Sequence, residues 1–176
     1  MRREIFLHFS FWFSFFILAT IFNHLFSLNY WPLWLGGILG TILPDIDHLL
    51  YLYLNPQELT SQRFNSLLGK QEIKRVFTLL YTTRSERKNL IFHTIFFQII
   101  FLVLTFWVLT SSGSLFGKGL VLAFSLHLVI DQILDLTELK SFDNWLKYSP
   151  IYLLLDKAKL YWLITLLVTC FFGTLL

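Results

Sequence analysis

Two carboxylates and an imidazole occur within four residues, in the run Leu43-Pro44-Asp45-Ile46-Asp47-His48. The run ends an apolar, glycine-rich stretch that has the composition of a membrane helix. Carboxylates in such a span cost about 2.5 to 3.5 kcal/mol each to insert, so they usually serve a function, although a buried ion pair or a helix end near water is the alternative. Pro44 lacks a backbone N–H and is expected to kink the helix. Asp45 and His48 share a face at i,i+3, so Asp47 points elsewhere unless the kink redirects it.

A second pair with the spacing of metal ligands lies later in the chain. His127 and Asp131 are i,i+4, which places both side chains on one helix face where they can bind one ion. Asp135 is one further turn along that face, either behind the ligands or in solvent. His8 and His93 each lie about one turn inside an apolar stretch. The candidate metal ligands are therefore His8, Asp45, His48, His93, His127 and Asp131.

The donor set indicates which ion would bind. Histidine nitrogens mixed with carboxylates suit Zn²⁺ best, with Mn²⁺ or Fe²⁺ next, whereas Ca²⁺ and Mg²⁺ prefer oxygen alone. Such an ion would lower the pKa of bound water and polarise a carbonyl or phosphoryl oxygen. Asp47 is then the candidate general base or an additional ligand. Cys170 is the single cysteine, which excludes an internal disulfide, and its apolar surroundings predict a packed side chain.

The composition predicts what kind of protein carries these residues. The 176 residues are 56% hydrophobic and 19% aromatic, and the mean hydropathy is +0.64, values that suit an integral membrane protein. Length predicts a single domain, 1–176, and a net charge of +3 is too small to indicate nucleic acid as a partner. The first apolar run is too long for a secretory signal and is interpreted as a membrane helix.

The apolar segments predict an all-α bundle of about five membrane helices. The expected spans are 5–28, 33–54, 90–110, 115–136 and 160–176, with polar loops at 55–89 and 137–159. Within the first loop, Ile73, Val76, Phe77 and Leu80 recur at i, i+3, i+4 and i+7. This pattern predicts an amphipathic helix that lies on the membrane surface or packs on the protein's own cytoplasmic face.

Charge and depth place the candidate residues at one end of this bundle. Of the 14 Lys and Arg residues, all but Lys118 fall at the N-terminus and in the two polar loops, so these are expected to be cytoplasmic and the C-terminus outside, in a plasma or inner membrane. His24 lies at the opposite interface. At a rise of about 1.5 Å per residue, the other four histidines and their carboxylates fall within about two or three turns of one another. The bilayer is thus the expected partner.

With these residues the chain resembles the membrane-bound metal-dependent hydrolases, which include LexA-regulated inner-membrane hydrolases of bacteria. That family has an early histidine, a Leu-Pro-Asp-Ile-Asp-His motif, a His-Arg-x-x-Thr-His-Ser motif and a His-x-x-x-Asp motif. These correspond here to His8, the run 43–48, Phe92-His93-Thr94, and His127 with Asp131, over about residues 5–136. The family's His-Arg pair falls on Lys88-Asn89, so one expected histidine is absent. The resemblance implies hydrolysis of an ester or phosphoester at the membrane.

Three functions follow as hypotheses. The first is a metal-dependent hydrolase that opens to the cytoplasm, where the basic 55–89 segment could attract anionic lipid headgroups or a phosphoester substrate. The second is a small transporter that handles a cation or protons. The third, suggested by the missing histidine, is a structural membrane protein with a degenerate site.

Overall fold

A computed structural model describes residues 2–83, 87, 90–147 and 155–176, and the regular structure in these ranges is helical. The fold is therefore the predicted all-α membrane bundle. The helices are α1 (Arg2–Phe22), α2 (Trp31–Ile42), α3 (Ile46–Leu54), α4 (Leu59–Gly69), α5 (Ile73–Thr82), α6 (Ile95–Ser111), α7 (Leu115–Leu134), α8 (Asp143–Leu146) and α9 (Leu155–Phe172).

Four helical segments are long and apolar enough to cross a membrane, and a fifth is shorter. The four are Ile5–Phe22, Leu28–Leu54, Leu115–Leu139 and Leu155–Leu175, and the shorter one is Ile95–Ser111. The first span ends at Phe22 rather than near residue 28. Asn23 donates a side-chain hydrogen bond to the Ala19 carbonyl, and His24 adopts a left-handed φ of 56° that stops the helix. Residues 148–154, which belong to the predicted polar loop 137–159, lie outside the described ranges.

Pro44 interrupts the second span as predicted. A 3-10 turn, Leu43–Asp45, separates α2 from α3. The missing N–H of Pro44 prevents the regular i→i−4 bond at this point, and the tighter turn changes the direction in which the following side chains leave the backbone. Asp47 and His48 are buried as a result, whereas Asp45 is exposed.

Helix α7 is the centre of the bundle. Every residue from Val121 to Gln132 is buried. Helix α2 lies along it in the same direction, since Leu33 adjoins Gly119 and Thr41 adjoins His127. A methyl group at Gly36, Gly40 or Gly119 would overlap a backbone carbonyl of the facing helix, so these glycines permit the close approach.

Buried hydrogen bonds join α6, α7 and α9. The Gln132 side chain donates to the Gln98 carbonyl oxygen at 2.6 Å, and the Tyr161 hydroxyl donates to the same oxygen at 2.7 Å. Thr165 donates to the Gln132 carbonyl oxygen at 3.2 Å. In an apolar environment such interhelical bonds hold helices in register, which fixes α7 between its neighbours.

The two ends of the bundle are distinguished by contacts of α1. Near its start, His8 contacts Asp131 of α7, and just after its end Asn23 donates to the Gly173 carbonyl beyond α9. The start of α1, the end of α3, the start of α6 and the end of α7 therefore lie at one end, which we call the site end.

Candidate metal centre

Three histidine rings surround one carboxylate at the site end. Asp131 Oδ1 lies 3.1 Å from His8 Nε2, and Asp131 Oδ2 lies 2.8 Å from His93 Nε2 and 3.2 Å from His127 Nε2. All four side chains are buried. Candidate ligand atoms of His8, His127 and Asp131 lie within 4.8 Å of one another, which is close enough to hold one ion. The structure thus brings together four residues from two helices, α1 and α7, and from the segment that precedes α6.

His127 is oriented by the interruption at Pro44. Its Nδ1 donates at 2.7 Å to the carbonyl of Thr41, in the last turn of α2, where carbonyls lack the usual helical partner. A carbonyl only accepts, so Nδ1 carries the proton, and in the neutral ring Nε2 is left as a lone pair. This Nε2 is buried and has no hydrogen-bond partner among the described residues.

The surroundings of His127 Nε2 indicate whether a cation would fit beside it. Asp131 Oδ2 is 3.2 Å away, but the pair does not meet the geometry of a hydrogen bond. A lone pair and a carboxylate oxygen repel at this distance unless a positive charge lies between them. Nitrogen and carboxylate donors without cysteine are the set that suits Zn²⁺, Mn²⁺ or Fe²⁺. The residues therefore fit a divalent metal.

His93 is held by a second carboxylate, that of Asp47. Asp47 Oδ2 lies 3.2 Å from His93 Nδ1, and the Asp47 carboxylate also accepts the backbone N–H groups of Ile91 and Phe92, at 3.0 and 2.6 Å. With the Nδ1 proton of a neutral ring directed at Asp47, Nε2 is the nitrogen that would bind a cation beside Asp131. A carboxylate that orients a histidine in this way is the usual partner of a metal-ligating ring.

The same bonds explain why the third span starts later than predicted. The sequence places His93 one turn inside a span of 90–110, but α6 begins at Ile95. Asp47 binds the backbone of the preceding segment in a non-helical conformation, and Thr94 caps the helix by accepting from the Phe97 N–H. His93 therefore enters the site from a connecting segment rather than from a helix face.

The remaining predicted residues surround this cluster without joining it. The Asp45 side chain is 54% exposed, and its Oδ1 lies 3.8 Å from His127 Nε2, at the rim. His48 is buried, its ring lies 5.5 Å from that of His93, and its Nδ1 accepts from Arg87 Nε at 3.2 Å. With Nδ1 accepting from an arginine, the ring proton of neutral His48 is on Nε2.

Two neighbours of the site were not identified from sequence. Arg87 is buried, binds His48 and Thr83, and also donates to the Leu80 carbonyl. Arg87 directly precedes Lys88-Asn89, the positions where the hydrolase family's motif has a His-Arg pair, and this proximity could have identified it. Residues 88–89 themselves lie outside the described residues. Trp145 is buried with its ring 5.6 Å from His93, and its Nε1 donates to Asp135. A lone tryptophan in a polar loop gave no such signal.

Replacing Asp47 with asparagine should weaken metal binding by about 10- to 100-fold without abolishing it, because the metal-side nitrogen of His93 would lose its orientation. Competition with a fluorescent chelator measures this affinity. Asp156→Asn is a control, since Asp156 is an exposed carboxylate on α9. If Asp47 acts instead as a general base, its variant would keep the wild-type affinity.

Comparisons with protein-family models, curated proteins and solved structures found no match to this chain. The resemblance to membrane-bound metal-dependent hydrolases therefore stays a prediction.

Proposed function

We propose that this protein is a metal-dependent membrane hydrolase that cleaves an ester or phosphoester at the site end of the bundle. The observation that carries the proposal is His127 Nε2, a buried lone pair beside a carboxylate, in a cluster with two further histidine nitrogens. Such a site is costly to bury without a cation, because the Asp131 charge and the ring nitrogens are all removed from water.

His8, His93, His127 and Asp131 would hold the ion. When bound, a divalent ion supplies Lewis acidity toward a carbonyl or phosphoryl oxygen and makes water more acidic. The bonds from Asp47 to His93 and from His127 to Thr41 fix both rings before the ion arrives. Less reorganisation is then required on binding.

Asp45 is the carboxylate that we assign to proton transfer. It is exposed at the rim and lies 3.8 Å from His127 Nε2, so it can accept a proton from water at the site and release it to solvent. Asp47, the sequence-based candidate for this role, already accepts from two backbone N–H groups and faces His93. Asp47 therefore acts as a positioning residue.

The site end also suits an anionic substrate. Basic residues concentrate in the segments that the positive-inside rule assigns to the cytoplasm, which would place the N-terminus and the site on that side and the C-terminus outside. A surface with this charge attracts anionic phospholipid headgroups, and this favours a phosphoester at the membrane surface as substrate.

The position of the ionisable groups favours hydrolysis over transport. Among the described side chains of the spanning helices, carboxylates, histidines and basic residues lie toward the site end, apart from Lys118 and His24 at the other. A path for cations or protons requires such groups through the membrane depth. The described interior beyond the site instead contains neutral pairs such as Thr105–Ser125.

Hydrolysis should be measured with the full chain in lipid nanodiscs, using carboxyl-ester, phosphomonoester and phosphodiester lipids. We expect turnover of one phosphoester class that chelation abolishes and Zn²⁺ or Mn²⁺ restores. His127→Gln should lose both turnover and metal, while His24→Gln, a histidine change at the opposite end, should keep both.

Bound metal without turnover on any of these substrates would overturn the hydrolase proposal and leave the metal centre intact. Turnover that survives both chelation and His127→Gln would contradict the assignment of the site.

A further inference from the structure

The apolar face of helix α5 is only partly covered by the rest of the protein. Val76, on one side of this face, is 6% exposed, whereas Ile73 and Phe77, on the other side, are 50% and 54% exposed in the described part of the chain. Contact with the protein's own surface therefore accounts for one side of the face only, and the other side is left uncovered.

The charges around this exposed strip are positive. Residues 59–82 contain Arg63, Lys70, Lys74 and Arg75, all exposed, against the single carboxylate of Glu72. Glu72 forms an ion pair with Arg75 at 2.6 Å, which leaves the charge of Lys70 and Lys74 next to the apolar strip. An apolar strip bordered by lysines has the composition of a helix that lies in an anionic membrane interface.

The last turn of α5 is tied to the second spanning segment. Its last turn is fastened through the Leu80 carbonyl to Arg87, which binds His48. His48 lies six residues before Leu54, the end of α3, and this corresponds to about 9 Å at a helical rise of about 1.5 Å per residue. The end of α5 is thus held close to His48, at the site end of the second spanning segment.

The start of α5 is fixed as well. Gln71 adopts a left-handed φ of 57°, and the N–H groups of Gln71 and Glu72 bond to the Leu68 and Leu67 carbonyls at the end of α4. This closed turn sets the direction of α5 and places Lys70 beside its first residue.

We propose that α5 docks on the anionic surface of the same bilayer that the spanning helices cross, with Ile73 and Phe77 inserted among the lipids and Lys70 and Lys74 at the headgroups. The surface of α5 lies outside the candidate metal centre, so its docking on lipid does not require that the protein be a hydrolase.

The test uses spin labels on the full chain in nanodiscs that each hold one copy. Cys170→Ala removes the single native cysteine, and Phe77→Cys or Ile73→Cys then accepts the label at an exposed position. Thr78→Cys is the matched control, because Thr78 is exposed and lies away from the apolar strip on the same helix. Collision rates with oxygen and with a water-soluble nickel complex report insertion.

In discs that contain phosphatidylglycerol, the oxygen-to-nickel ratio at position 77 should exceed that at position 78 by about tenfold, because only the apolar face of an interfacial helix enters the acyl region. Lys70→Glu with Lys74→Glu, or pure phosphatidylcholine, should lower the ratio at position 77 severalfold. Equal ratios at positions 77 and 78 would overturn the proposal. A ratio at position 77 that is insensitive to both charge changes would also overturn it. Two results together would assign the face to a second copy of the chain instead: dipolar coupling between labels on two copies in detergent, and a label at position 77 that is accessible to the nickel complex in single-copy discs.

Discussion

The Asp131→Asn variant should fail to bind the proposed divalent metal, whereas Asp135→Asn should still bind it. Asp131 is the one carboxylate with its oxygens within 3.2 Å of three histidine nitrogens in the described site. Asparagine has nearly the same volume but no charge, and its amide nitrogen would donate a hydrogen bond where a cation would lie. We expect the metal affinity to fall by more than about 100-fold. Mutation of residues that only hydrogen-bond to metal ligands already lowers the affinity by about 10- to 100-fold.

Asp135→Asn makes the same chemical change four residues, or about one helical turn, after Asp131. Asp135 accepts from Trp145 Nε1 at 2.8 Å, and an asparagine oxygen can accept that bond as well. Elemental mass spectrometry after dialysis gives the metal content of both variants, and circular dichroism checks that both are folded. A folded Asp131→Asn protein with wild-type metal content would show that the metal centre lies elsewhere.

The composition of the site could be predicted because depth in a membrane helix can be counted from sequence. His8, His127 and Asp131 lie on regular helices, where a rise of about 1.5 Å per residue places them at one level. The i,i+4 relation of His127 and Asp131 also holds, since α7 is regular over both. For these residues the local geometry is that of an undistorted helix, and periodicity is sufficient.

The roles of Asp47 and Asp45 could not be predicted in the same way. Helical spacing directed Asp45 and His48 to one face and Asp47 to another, but the turn at Pro44 redirects all three. It buries Asp47, where it binds the segment before α6, and leaves Asp45 at the rim. The backbone N–H groups that Asp47 accepts belong to residues more than 40 positions later in the chain, and sequence periodicity does not predict such a contact.

The glycines of the central helix pair were visible in the sequence, but the reason for them was not. In the sequence, Gly36, Gly37 and Gly40 are part of the apolar second span, and Gly119 is a glycine in the fourth span. Their function in packing is apparent only when α2 and α7 are seen side by side. The position of α2 against α7 determines where the Thr41 carbonyl meets His127, so the close approach also affects the candidate metal centre.

Gly119→Ala should destabilise the protein by about 3 kcal/mol or more, at the upper end of overpacking effects, because the new methyl group would overlap the Leu33 backbone carbonyl. Backbone cannot rotate away as a side chain can, so α2 and α7 must separate. Gly117→Ala is the matched control: its methyl group would meet no heavy atom nearer than 3.4 Å, the Ser114 hydroxyl oxygen. Because alanine favours the helix by about 1 kcal/mol over glycine, this variant should equal or exceed wild-type stability.

Unfolding in mixed detergent micelles, followed by circular dichroism, measures both changes. The Gly119→Ala variant should also bind metal more weakly, because separation of α2 from α7 moves the Thr41 carbonyl away from His127 Nδ1 and releases the ring. The Gly117→Ala variant should bind metal normally. Equal stability of the two variants would mean that α2 and α7 do not approach closely in the membrane, and the orientation of His127 would then need another explanation.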